Sequence, residues 1–296
     1  MLRTRHIYLE MCRKSPLLHR VTDEERQKMQ AHLKKMYQDI EKVCDQHNLT
    51  VMLAYGSALG AIRHHGFIPW DDDLDLFMPR KDYERFINDF ANELPANYIV
   101  YGPNSKNGPT YRFSKVIDKD TEHIAPGEEN LDSIHGIYVD IFPLDNVEKK
   151  PLLNKFRKAI GMFLMYTATS VSQYESKSHI YKQLMSGSKE SKINYWFRQT
   201  WGFLFSFCSS RNWYNVTDRF CRNTRDTGYV DSLMDEYSWN PIPADMFFPP
   251  VRTKFEDIEA YVPHRATDFL KLKFGNWQEL PPEDKREQHF TLSLKI

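Results

Sequence analysis

The sequence predicts an α+β fold. Three observations carry that prediction: short apolar runs of strand length lie among amphipathic helical patterns in the first half, a long aromatic-rich helical stretch follows, and alternating residues return near the C-terminus as a hairpin. The 296 residues allow one large domain or a domain with an extension, and 41% apolar residues suffice for a core. Lysine plus arginine equals aspartate plus glutamate at 40 each, so no basic surplus supports a nucleic-acid partner. Cys12, Cys44, Cys208 and Cys221 are scattered and form no Cys-x-x-Cys, which predicts reduced thiols. The first residues lack the apolar core of a signal peptide, and no run of about 18 apolar residues occurs. The expected location is the cytoplasm, with contact at the inner face of the membrane left open.

Taken in order, residues 1–21 read as an irregular or accessory arm. Thr22 opens a helix, with Glu25 completing a capping box. Met29, Leu33, Met36, Ile40 and Val43 make its apolar face, which ends near His47. Residues 51–55 are a short strand, Gly56 and Ser57 turn the chain, and residues 58–63 form a short helix. A turn at His65-Gly66 and Pro69 leads to an acidic strand. Residues 81–91 are helical. Strands over 98–101 and 111–117 flank a Gly/Pro/Asn loop, and residues 118–133 read as loop. Residues 136–145, GIYVDIFPLD, form a strand, with Asp145 past Pro143 as a turn residue. Helical patterns cover 156–171, 180–185, 193–208 and 213–221. A hairpin over 253–262 turns near Glu256-Asp257, residues 267–274 form a helix closed by Gly275, and 280–290 are a tail. The expected organisation is an arm (1–21), a catalytic core (22–150), a helical region facing acceptor or membrane (151–230), and a C-terminal hairpin and tail (231–296) completing the same domain.

The chemistry concentrates in residues 55–77, YGSALGAIRHHGFIPWDDDLDLF. Asp71, Asp73 and Asp75 alternate, so a strand would set three carboxylates on one face, with Asp72 opposite. Such acids repel unless a cation sits among them, and hard oxygen ligands suit Mg²⁺. A solvated acidic loop is the plain alternative, made less attractive by the apolar residues on both sides. A calcium loop fails, because Leu76 stands where the turn glycine belongs and Asp82 where the glutamate belongs. The Asp-x-Asp of a glycosyltransferase remains open. Gly56-Ser57 at a strand-to-helix turn suits close approach of a phosphate. Arg63, His64, Arg112 and Lys115 are cationic candidates for phosphate oxygens. Asp140, between Val139 and Ile141, needs charge compensation in a buried strand and is a candidate third carboxylate. Arg286 and His289 in the tail are placed to fold back over the site. The aromatic stretch over 195–207 reads as a buried helix, or as a surface resting on a membrane or a lipid-linked acceptor.

Gly56-Ser57, then Asp73-Leu74-Asp75-Leu76, then Val139-Asp140-Ile141 resembles the signature of the nucleotidyltransferase superfamily. More narrowly, GSALGAIRHHGFIPWDDDLDL and YVDIFPLD resemble the LicD family, which includes the fukutin-related proteins, over roughly residues 25–290. The hairpin, Phe274-Gly275, Pro281-Pro282 and His289 are similar to that family's C-terminal region. The resemblance implies a small nucleotidyltransferase-like mixed β-sheet packed with helices. It also implies Mg²⁺-dependent transfer of a phospho-substituent, typically phosphocholine from CDP-choline, to a cell-surface glycan such as lipopolysaccharide or capsule, or to its lipid-linked precursor. Mn²⁺ is the alternative ion. By the same likeness Asp73, Asp75 and Asp140 ligate metal, Asp140 or Asp71 serves base or metal, and Gly56 and Ser57 hold donor phosphates. Arg63, His64, Arg112, Lys115 and His289 complete the donor site. Alternatives are nucleotidyl transfer from an NTP, a nucleotide-sugar glycosyltransferase, and a metal-binding scaffold without activity. The transferred group, the acceptor, the number of metals and the oligomeric state are not fixed by the sequence.

Overall fold

A computed structural model describes residues 4–105, 108–131, 134–232, 239–283, 286 and 290–296. Its centre is a mixed sheet in the order β1-β2-β6-β4-β3, where β1 is Met52–Leu53, β2 Asp75–Pro79, β3 Tyr98–Tyr101, β4 Ser114–Asp118 and β6 Tyr138–Asn146. Only β2 and β6 run parallel; the other neighbours are antiparallel. β6 sits in the middle, so its apolar residues are buried on both faces: Val139 and Ile141 on one, Phe142 on the other. β7 (Tyr229–Asp231) adds to the far end of β6, and β8 (Ile242–Pro243) pairs with β7.

The helix α2 (Asp23–Gln46) follows the sequence closely. Thr22 caps it through a full capping box with Glu25, and Met29, Leu33, Met36, Ile40 and Val43 are all buried. The helix α3 (Tyr55–His64), the hairpin of β9 (Val251–Phe255) and β10 (Ile258–Val262), and α9 (Ala266–Phe274) complete one continuous core with the sheet. The N-terminal arm is not irregular. α1 (Thr4–Lys14) buries Ile7 and Met11 against Tyr181 and Met185.

Four expectations are corrected. The segment read as one helix over 81–91 is α4 (Arg80–Arg85), a π-helical turn (Phe86–Phe90) and a 3-10 turn (Ala91–Glu93); the widening lays the Phe90 ring on His47, centroids 3.7 Å apart. The loop over 118–133 contains β5 (Glu122–Ile124), which pairs with a tail strand, β11 (Ser293–Lys295). Gly56 and Ser57 are not a turn before a helix but lie in the first turn of α3. Asp145 is not a turn residue. It is fully buried in β6 and accepts from Arg80 Nε at 2.7 Å, while Arg80 Nη1 donates to Asp218 at 2.8 Å.

The helical region is α5 (Pro151–Ser176), α6 (His179–Leu184), α7 (Lys189–Phe205) and α8 (Ser210–Cys221), with α7 and α8 packed on α5. Lys158 of α5 is buried beside Asp231 of β7 at 3.2 Å, so an ion pair ties this layer to the sheet. Burial pushes the Asp231 carboxyl up to about 6, against the opposing pull of Lys158.

Candidate active site

The parallel register sets Asp75 beside Asp140, and the antiparallel register sets Asp140 beside Lys115. Two acids and a lysine thus form a row across three neighbouring strands. Alternation puts Tyr138, Asp140 and Phe142 on one face of β6, with Asp75 and Phe77 on the matching face of β2. The Lys115 ammonium lies 3.0 Å from Asp140 Oδ1 and 3.4 Å from the Tyr138 ring centre. Asp140 Oδ1 is buried and has no hydrogen bond, so the lysine charge is what balances it.

The other predicted acids are placed differently. The strand begins only at Asp75, so Asp71 and Asp73 do not share its face by alternation. The Asp71 amide closes a turn onto the Ile68 carbonyl at 2.9 Å, and its own carbonyl accepts from Gln30 Nε2 at 2.8 Å. Its carboxylate lies over Gly56, where a Cβ would stand 3.1 Å from Asp71 Oδ2. Asp72 is buried. Asp73 still acts at the row: burial first, then Asp140, Glu128, Asp73 and Asp72 together hold the Tyr138 hydroxyl far above its ordinary value. Glu128 is raised by burial, an effect Lys115 opposes and Asp140 reinforces.

The start of α3 faces the same region. Ala54 offers no side-chain cap, so the first-turn amides of Gly56 and Ser57 are not taken by one. The Ser57 hydroxyl accepts the Asp75 amide at 2.9 Å, which locks the helix start to the acidic strand. Tyr55 sits at φ +43°, a strained conformation for an aromatic residue, where the strand becomes helix. Its ring meets Phe77 at 4.7 Å and Phe142 at 5.0 Å edge-on, and the Lys273 ammonium of α9 lies 3.0 Å from its centre.

The remaining cations serve other partners. Arg63 donates from Nη1 to the Trp277 carbonyl at 2.7 Å and from Nε to His64 at 2.9 Å, so it ties down the C-terminal segment. Burial lowers its pKa, and the Asp71 charge opposes that shift. His64 meets Trp70 edge-on, and burial, then Arg63 and His65, lower its pKa. Arg112 precedes β4 with its guanidinium 4.7 Å from the Phe113 ring. Arg286 stacks on Trp70 at 4.3 Å, so the tail does return to the acidic loop. His289 lies outside the described residues. Sequence reasoning passed over Glu128, Tyr138, Tyr55 and Lys273. Tyr138 was legible by its alternation with Asp140. Glu128 and Lys273 carry no local signal.

Fold and site together define an α+β domain with an acid-and-lysine centre on one sheet face. Residues 48–157 match the family described as LicD/FKTN/FKRP, nucleotidyltransferase domain. Over 257 residues, 83% of this chain and 89% of the relative, it is 24% identical to the lipopolysaccharide cholinephosphotransferase LicD of Haemophilus influenzae. It is also 29% identical over 123 residues to mannosyltransferase regulator 4 of Saccharomyces cerevisiae, spanning 40% of this chain and 10% of that one. An uncharacterised Rickettsia prowazekii protein is 35% identical over 110 residues, 31% of this chain and 41% of its own.

Among the described residues no three His, Cys, Asp or Glu side chains converge closely enough to cage a metal ion by themselves. The expected trio of Asp73, Asp75 and Asp140 is therefore present as a register pair, Asp75 and Asp140, with Asp73 nearby. A pair suits Mg²⁺, which commonly takes one or two carboxylates and completes its shell from water and substrate phosphate. Asp140 Oδ1, whose partner is the Lys115 ammonium at 3.0 Å, would be its first ligand once that ion pair opens.

Proposed function

We propose that this protein transfers a phospho-substituent of the phosphocholine class from a CDP-linked donor to a hydroxyl of a cell-surface glycan or its lipid-linked precursor. The observation that supports this reading most is the row Asp75, Asp140 and Lys115 beside the uncapped start of α3. The likeness to a cholinephosphotransferase over most of the chain favours phosphocholine over other groups.

Phosphoryl transfer asks little covalent work of a protein; positioning and charge neutralisation suffice. Asp75 and Asp140 would hold Mg²⁺, or Mn²⁺, with Asp73 in support. Such an ion, once bound, polarises the donor's phosphate oxygens. The first-turn α3 amides of Gly56 and Ser57, which no side-chain cap takes, bind one phosphate. Lys115 exchanges its Asp140 partner for phosphate oxygen as the donor arrives. Asp71, whose carboxylate lies over Gly56, would take the acceptor hydroxyl's proton. The aromatic floor of Tyr55, Phe77 and Phe142 keeps water from the face.

Incubation with CDP-choline, Mg²⁺ and a glycan acceptor should release CMP. Asp75→Asn should cut that rate on the order of 100-fold or more while the melting temperature stays level or rises, because the change removes mutual repulsion among acids. Pyrophosphate release from an NTP would instead favour nucleotidyl transfer, the reaction that the family's description suggests. Turnover of a nucleotide sugar would favour a glycosyltransferase. CMP release left intact in Asp75→Asn would overturn the assignment of the site.

A further inference from the structure

The helix α7 is built inside out. The residues it buries are Ser191, Asn194, Arg198 and Gly202, all polar or small. The residues it turns outward are Ile193, Trp196, Phe197, Phe203 and Leu204, with Trp196 60% and Phe203 61% exposed. An ordinary surface helix has the reverse pattern. The buried side is satisfied by α5: Arg198 Nη2 donates to Thr169 Oγ1 at 2.7 Å, and Gly202 sits against the Ser170 carbonyl. The helix is therefore fixed in this orientation by specific contacts, not left apolar side out for want of a partner.

A second stripe continues the first. Along α5, Leu152, Phe156 and Phe163 point outward at helical spacing, Leu152 83% exposed. The Phe163 ring lies 5.9 Å from Trp201, so the two stripes join into one apolar face. Cations rim it. Lys189 and Lys192 open α7, and Lys149, Lys150 and Lys155 surround the start of α5, all exposed, against Glu148 and Glu190. On α7 itself a shallow depression of about 460 Å³ is lined by Lys189, Lys192, Ile193, Trp196, Phe197 and Thr200. No helix among the described residues is long and apolar enough to cross a membrane.

We infer that this face rests on an anionic lipid bilayer, with α7 in the plane of the interface. The aromatic side chains enter the acyl boundary, and the flanking lysines meet lipid phosphates. The charge decides for a bilayer over a second copy. Pairing the face with itself brings two lysine-rich rims into one interface, whereas an anionic surface neutralises them.

Flotation of the whole protein with vesicles of phosphatidylcholine plus phosphatidylglycerol, and of phosphatidylcholine alone, tests this. Wild type should float with the anionic vesicles and lose binding as salt rises. Trp196→Ser with Phe203→Ser should weaken flotation about tenfold or more by removing buried apolar area. Lys189→Glu with Lys192→Glu should erase the preference for phosphatidylglycerol. These side chains are exposed, so circular dichroism and melting should match wild type. CMP release from soluble substrates should be unchanged, which separates this outcome from that of the proposed reaction. Absence of flotation, or flotation indifferent to these changes, overturns the inference. So does sedimentation showing a wild-type dimer that Trp196→Ser splits.

Discussion

Asp75 and Asp140 are far apart in sequence and side by side in the sheet, so the site depends on residues that one strand pairing brings together. The neighbouring Gly56 is part of that geometry. Gly56→Ala should place a methyl 3.1 Å from Asp71 Oδ2 and push the acidic loop away from the α3 amides. We expect KM for the CDP-linked donor to rise several-fold with little change in melting temperature, read by initial rates and calorimetry. His64 is a second residue-scale case. Its pKa lies below the ordinary 6.5 because burial, then Arg63 and His65, disfavour the charged form. The folded protein thus binds this proton less readily than the unfolded chain. Stability contributed by a neutral His64 is intact above about 6.5 and is lost as pH falls from there toward the lowered value. Urea unfolding at stepped pH should show that decline, and His64→Gln should flatten it. A variant with the same slope as wild type would reject the assignment.

Between elements, one buried group matters most. Arg80 at the start of α4 bridges Asp145 of β6 and Asp218 of α8, with all three side chains sealed from solvent. Its removal leaves Asp145 buried without a cation and Asp218 with Arg222 alone, at 3.0 Å. Arg80→Met should destabilise the protein by about 3–5 kcal/mol in urea unfolding, although the methionine fills similar space. A loss under about 1 kcal/mol would mean the acids take up protons freely instead. The sequence placed Asp145 in a turn because Pro143 precedes it. Pro143 in fact occupies β6 opposite Met78 of β2, and the strand continues through it. The helices α2, α5 and α7 and the β9–β10 hairpin were legible, because their periodicity and turn residues are local. The break of 81–91 into α, π and 3-10 turns was not, because it answers to Phe90 meeting His47.

At the scale of the molecule, the chain closes on itself. β11 near the C-terminus pairs with β5, and Thr291 bridges to His19, so the final residues join the first helical region to the sheet's flank. Truncation after residue 290 should lower the melting temperature and speed amide exchange in β5 before the central sheet responds, a pattern that hydrogen exchange resolves by segment. Equal protection of β5 with and without the last six residues would show the pairing to be idle.

The sequence by itself determined the acidic motif, the family resemblance and most helices, because each rests on residues near one another along the chain. Only the tertiary structure decided that Asp75 meets Asp140 and Lys115, that Asp71 and Asp73 leave the strand, that Arg63 holds the C-terminal segment, and that α7 faces its aromatics outward. Those facts depend on register and on which neighbour covers which face, and no local propensity encodes either.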